Sequence, residues 1–203
     1  MSASCCATPP VGPRYRRALW IALLVNAGMF LVEIVASAAA GSVSLLADAI
    51  DFAGDAANYG LSLAVLALAA IWRSRAALVK GLSMGAFGLY VIGRATWGLW
   101  TGTPPEPLTM GAVGLAALAA NVGVAWMLYA HREGDANMRS VWLCSRNDAI
   151  GNVAVIGAAA GVGATGAAWP DLAVAGVMAT LALSAAASVI RQAHSELAPR
   201  SPG

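Results

Sequence analysis

Six apolar stretches alternate with short polar links along this 203-residue chain. A helix needs about 20 apolar residues to cross bilayer hydrocarbon, and the pattern predicts spans at about 18–40, 43–71, 76–100, 108–130, 140–164 and 172–190. Pro, Gly and charged residues mark the links. The strongest break is Thr101-Gly-Thr-Pro-Pro-Glu-Pro107, where successive prolines remove helical donors. Residues 1–17 read as a polar tail that three prolines keep from forming a continuous helix, and residues 191–203 as a second short tail. The expectation is an all-α, six-transmembrane-helix bundle occupying residues 18–190.

Composition agrees with the pattern. The chain is 59% hydrophobic and 11% charged, whereas a soluble domain is about 25% charged. A polytopic membrane protein is therefore expected. A signal peptide competes for the first stretch, since arginines precede it and Ala36-Ser-Ala-Ala-Ala-Gly41 offers a cleavage site. Its length and its glutamate, Glu33, argue for a retained span. Arg14, Arg16, Arg17, Arg73, Arg75, Arg132, Arg139, Arg191 and Arg200 all fall in the tails and alternate links, and the intervening links have none. By the positive-inside rule this places both termini in the cytoplasm.

Net charge is +2, without basic–aromatic clustering, so no nucleic-acid partner is expected. The cysteines, Cys5, Cys6 and Cys144, are no disulfide framework. Cys5 and Cys6 fit a plain flexible tail better than a metal trap, and His131 and His194 read as solvated. No nucleophile–base pair or metalloprotease motif points to an enzyme.

The second span contradicts its apolar surroundings. Asp51 and Asp55 lie one turn apart on one helix face, with Asp48 and Asn58 on the same stripe. An aspartate at mid-bilayer costs about 2.5–3.5 kcal/mol on insertion scales, so such residues should face the bundle interior. On the fifth span Cys144 and Asp148 share the same spacing, with Asn147 and Asn152 close to that face. Two carboxylates from one helix, with a thiolate and a carboxylate from the other, can close a tetrahedral shell around a divalent cation such as zinc. Interhelical hydrogen bonding, or pairing with Arg94 and Arg146, is the alternative use of such groups. Asp48 and Glu33 are open to use as partners supporting the ligands, as an entry step, or as counter-ions for Arg94 or Arg146, and structural pairing is the favoured reading.

The run Gly41-Ser-Val-Ser-Leu-Leu-Ala-Asp48-Ala-Ile-Asp51-Phe-Ala-Gly-Asp55 closely resembles the second membrane helix of the cation diffusion facilitator family, and Ser145-Arg-Asn-Asp148-Ala-Ile-Gly-Asn-Val-Ala-Val its fifth. The resemblance implies a metal efflux transporter, mostly homodimeric in this family, that exchanges zinc, cadmium or cobalt for protons. It implies that Asp51, Asp55 and Asp148 are the motif acids and that Cys144 fills the fourth ligand position. Cys144 stands where many members have His or Asp, which favours softer ions. Many members continue into a cytoplasmic metal-binding domain after the sixth helix. This chain ends about a dozen residues beyond its sixth span, so a short form is expected.

The expected activity is alternating access at Asp51, Asp55, Cys144 and Asp148, with metal and protons competing for the same lone pairs. The expected partners are the transported cation, protons, the lipid bilayer of a bacterial inner membrane and a second copy of the chain, with no prosthetic group. The alternatives are a metal sensor or scaffold that transports nothing, and a proton-coupled antiporter of another small solute. The latter has no use for a thiol at Cys144.

Overall fold

The computed structural model describes the backbone of residues 13–64, 70–129 and 136–197, with the side chains of these residues except 70–74, 76, 136–147 and 196. Six helices follow in order: α1 (Pro13–Ala40), α2 (Val43–Ala64), α3 (Ala70–Thr101), α4 (Pro107–Tyr129), α5 (Ala136–Thr165) and α6 (Trp169–Leu197). This is an α-helical membrane protein. Among the described residues four helical segments are long and apolar enough to cross a membrane: α1, α4, residues 148–165 of α5 and residues 169–195 of α6. In α2 the three aspartates, and in α3 the basic residues Arg75, Lys80 and Arg94, interrupt the apolar run.

The helices reach beyond their apolar cores. α1 begins at Pro13, earlier than the expected start at Ala18. Proline is favoured at a first helical position, where its missing N–H would be unpaired anyway. The Trp72–Arg75 link expected from charge lies inside α3, because it contains no Gly or Pro to end a helix.

Three helices end in the same way. Gly41, Gly102 and Gly166 each take a left-handed conformation, with φ of 69°, 64° and 63°, which side chains disfavour and glycine does not. After Gly41 the Ser42 N–H returns to the Ser37 carbonyl at 3.1 Å, the reverse bond of a Schellman ending.

The following helices start on explicit caps. Ser42 Oγ accepts from Leu45 N–H at 3.1 Å, while Asp171 Oδ2 accepts from Val43 N–H at 2.8 Å and Oδ1 from Ser44 N–H at 3.0 Å and Ser42 O–H at 2.7 Å. A carboxylate there also faces the positive end of the α2 dipole. At α4, Glu106 accepts from Leu108 and Thr109 N–H at 2.9 and 2.6 Å, and its own N–H donates to the Ala40 carbonyl at 2.9 Å. The three loops α1–α2, α3–α4 and α5–α6 are thus joined at one end of the bundle.

α1 packs chiefly on α2, α4 on α5, and α3 on α6, while α1–α4 contacts join the first two pairs. Small residues permit the α3–α6 approach. A Cβ at Gly81 would stand 2.9 Å from Ile190, at Gly88 3.0 Å from Leu183, and at Gly98 2.8 Å from Leu172. Side-chain packing replaces hydrophobic driving force in lipid, so such close contacts hold the helices together.

Two apolar clusters fill the interior. One includes Ala40, Leu45, Ile50, Met110, Val155 and Leu172; the other includes Tyr15, Leu19, Tyr59, Val124 and Leu128. The outward face carries Leu24, Leu31, Val35, Leu89, Trp97 and Trp126, as a lipid-facing surface should. Between the clusters along α1, α2 and α4 come the buried or half-buried polar residues Asn26, Glu33, Asp51, Asp55 and Asn121. That polar layer contains the candidate site.

Candidate functional site

The acidic stripe of α2 faces inward, as the cost of exposing it to lipid requires. Asp48 is buried, and Asp51 and Asp55 are half-buried. Asp55 meets Asp148 of α5 at hydrogen-bonding range, and Tyr59 O–H donates to Asp55 Oδ2 at 3.3 Å. Asp51 and Asp48 lie within electrostatic reach of Asp148, whose Oδ2 has no donor among the described residues. Two carboxylates placed together without a donor between them suit a proton or a cation, because each oxygen can only accept unless one acid is protonated.

The expected ligands are thus partly gathered. Asp55 and Asp148 adjoin, with Asp51 one turn away on α2. Among the described residues no three His, Cys, Asp or Glu side chains converge into a ready metal shell. The expected ligand Cys144 and the expected neighbour Asn147 lie in the part of α5 whose side chains are outside the described residues, as does Arg146. Cys5, Cys6 and His131 are also outside the described residues, while His194 is exposed on α6.

The residues expected in support have specific partners. Asn152 Nδ2 donates to Asp48 Oδ2 at 2.7 Å, and Asn121 Nδ2 donates to Asn152 Oδ1 at 2.9 Å. This chain runs from α4 through α5 to α2. Glu33, fully buried on α1, faces the Asp48 carboxylate. Asn58 receives a hydrogen bond from the Lys80 ammonium of α3, which also lies close enough to act on the charge of Asp55.

Arg94 does not serve as the counter-ion offered for Glu33 or Asp48. It is exposed and lines a cavity of about 400 Å³ with Gly41, Trp97 and Asp171, whereas Asp48 is held by Asn152. A larger cavity, about 750 Å³, lies between α2 and α3, against Ile50, Gly54, Ala57, Lys80 and Met84. At 100° per residue Ile50 and Ala57 lie about 100–160° round α2 from Asp51 and Asp55, and none of the acids lines this cavity, so it is not the acidic site.

Sequence reasoning missed Asn121, Lys80 and Asp171. A lone asparagine in the apolar α4 was the available signal for Asn121, since a buried amide needs partners. Lys80 was visible as an intramembrane cation, but its neighbour Asn58 depends on how α2 and α3 pack. Asp171 was readable only as a turn residue.

Residues 19–198 match the family described as the cation efflux transmembrane domain. Among curated proteins the chain is 25% identical to the cadmium, cobalt and zinc/H(+)-K(+) antiporter of Bacillus velezensis, over 95% of this chain and 66% of that protein. It is 29% identical to the zinc transporter ZitB of Escherichia coli, over 92% of this chain and 64% of that protein. The chain spans just under two thirds of the length of these relatives.

Proposed function

This chain belongs to the cation diffusion facilitator family of cation efflux proteins, and we propose that it moves divalent metal cations out of the cell in exchange for protons. The observation that carries the reading is the apposition of Asp55 on α2 and Asp148 on α5 inside a bundle of family type. Asp51, Asp55, Asp148 and Cys144 are the proposed ligands, and zinc, cadmium and cobalt the proposed ions, as the names of the relatives suggest.

Without a cation, like charges resist convergence of the three aspartates. A divalent ion removes that repulsion and draws the oxygens inward, with a thiolate as the softer donor. Protons compete for the same lone pairs, so protonation from the far side releases the ion and returns the protein. Tyr59 orients Asp55 through its hydroxyl. Lys80 supplies positive charge beside Asp55, a charge that an arriving cation makes redundant.

In this reading all six helices cross a bacterial plasma membrane, both termini are cytoplasmic, and the transporter works as a homodimer. The clean alternation of arginine-bearing links supports the orientation.

The test is uptake of zinc, cadmium and cobalt into proteoliposomes that enclose a pH dye. Transport of at least one ion with counterflow of protons is expected, abolished by Asp51→Ala and with altered ion preference in Cys144→His. Absence of metal movement, or normal transport by Asp51→Ala, would overturn the proposal.

A further inference from the structure

Glu33 has no role in the site described so far. It is 0% exposed, and among the described residues neither of its carboxylate oxygens has a hydrogen-bond donor. The side chain at hydrogen-bonding range of it is another acid, Asp48, itself 2% exposed. A buried ion without a partner is strongly disfavoured, and two such ions in contact more so.

The donors around the pair fix which acid can carry charge. Asn121 gives its N–H to the Asn152 carbonyl, so Asn152 turns its own N–H to Asp48. Asp48 is thereby supplied as an acceptor. Among the described residues Glu33 is supplied with nothing, and a proton on Glu33 satisfies both residues at once by donating to Asp48. A metal ion suits the place poorly, because the amide carbonyl that would ligate it is already occupied by Asn121.

We propose that Glu33 and Asp48 form a proton-binding site separate from the metal ligands, holding one proton between α1 and α2 and giving it up when the cation binds. The inference rests on the proposed metal–proton exchange. The charged groups that act on the pair are Asp51 of α2, within reach of Glu33, and Asp148 of α5, within reach of Asp48; from α4 the described contribution is the neutral Asn121. A cation held by Asp51 and Asp148 cancels their charge and so removes the repulsion they exert on a Glu33 carboxylate. The Glu33 O–H bond then breaks, the proton passes to water, and the carboxylate left behind is held by the attraction of the bound cation. Protons exchanged per ion then exceed those displaced from the ligands alone.

The test uses the full chain in nanodiscs, titrated with zinc chloride in weak buffer containing a pH dye, with infrared spectra taken before and after. Glu33→Gln keeps the shape and a donor toward Asp48 but cannot release a proton. It should bind zinc and liberate about one proton fewer per ion than the wild type. An unchanged proton count in Glu33→Gln overturns the proposal. If that variant does not fold, the spectra of wild type and Asp48→Asn decide together: a protonated-acid carbonyl band that disappears on zinc binding and is shifted or lost in Asp48→Asn supports the pair, and a band unchanged in Asp48→Asn, or no band at neutral pH, overturns it. A wild type that binds none of zinc, cadmium and cobalt in the same titration overturns the transport reading, and with it the release step. The acid band in the metal-free protein, present or lost in Asp48→Asn, then separately decides whether the pair holds a proton.

Discussion

The Asp55 carboxylate of α2 and the Asp148 carboxylate of α5 lie within hydrogen-bonding reach of each other, with Asp51 a turn away. Such an arrangement favours function over stability. Asp148→Asn replaces an acceptor by a donor, so the metal-free protein should gain about 1 kcal/mol, the usual worth of one hydrogen bond. Metal uptake should fall at least about tenfold, since a tenfold change needs only about 1.4 kcal/mol of lost ligation. Thermal unfolding in detergent and proteoliposome uptake, run on the same preparation, check both signs.

Asp171 holds the start of a helix far from it in sequence. Its carboxylate takes the Val43 and Ser44 N–H groups and the Ser42 hydroxyl. Asp171→Ala leaves two buried backbone donors without an acceptor, at a cost of about 2–4 kcal/mol. Asp171→Asn keeps an acceptor and should lose less. Denaturation midpoints of the two variants should fall in that order, and equal midpoints would show that the cap is unimportant.

Asn152 is the hinge of the amide chain between α4 and α2. Asn152→Leu strips Asp48 of its amide donor and Asn121 of its acceptor, with an expected loss of about 2–3 kcal/mol. Because Asn121 and Asn152 act together, the effects of Asn121→Ala and Asn152→Ala should not add. A double-mutant cycle should give a coupling of about 0.5–3 kcal/mol, and simple additivity would rule out the chain.

Glu106 sits outside the apolar spans, and its carboxyl is held below its ordinary value of 4.5 by hydrogen bonds from the Thr109 side chain, the Thr109 N–H and the Leu108 N–H. A depressed folded-state value means that the unfolded chain takes up the proton first. The cap therefore contributes fully above about pH 4.5 and is lost as pH falls through the lower folded value. The difference in melting temperature between wild type and Glu106→Gln should be constant near neutrality and shrink as the pH is taken below 4.5. A difference independent of pH would argue against the carboxylate as the cap.

Much was legible before any coordinates. Long apolar runs admit one secondary structure in lipid, because only a helix satisfies its backbone within a single segment. The placing of the acids at Asp51, Asp55 and Asp148 followed from helical spacing and the cost of facing lipid. Helix ends were less legible. Pro13 starts α1 within what read as a tail, and residues 72–75 extend α3, because charge marks where a helix leaves the membrane and not where it stops.

The sequence by itself determined the helical class, the family and the acids that share an inward face, since each depends on local periodicity or residue type. The tertiary structure decided which groups meet: Asp55 with Asp148, Asn121 with Asn152 and Asp48, Lys80 with Asn58, and Asp171 with the start of α2. These pairings join helices distant in sequence, and spacing along one helix carries no information about the rotation or height of its neighbour. Glu33 shows the difference most sharply. In the sequence it is one acid in an apolar run; in the fold it is an acid whose partner is another acid.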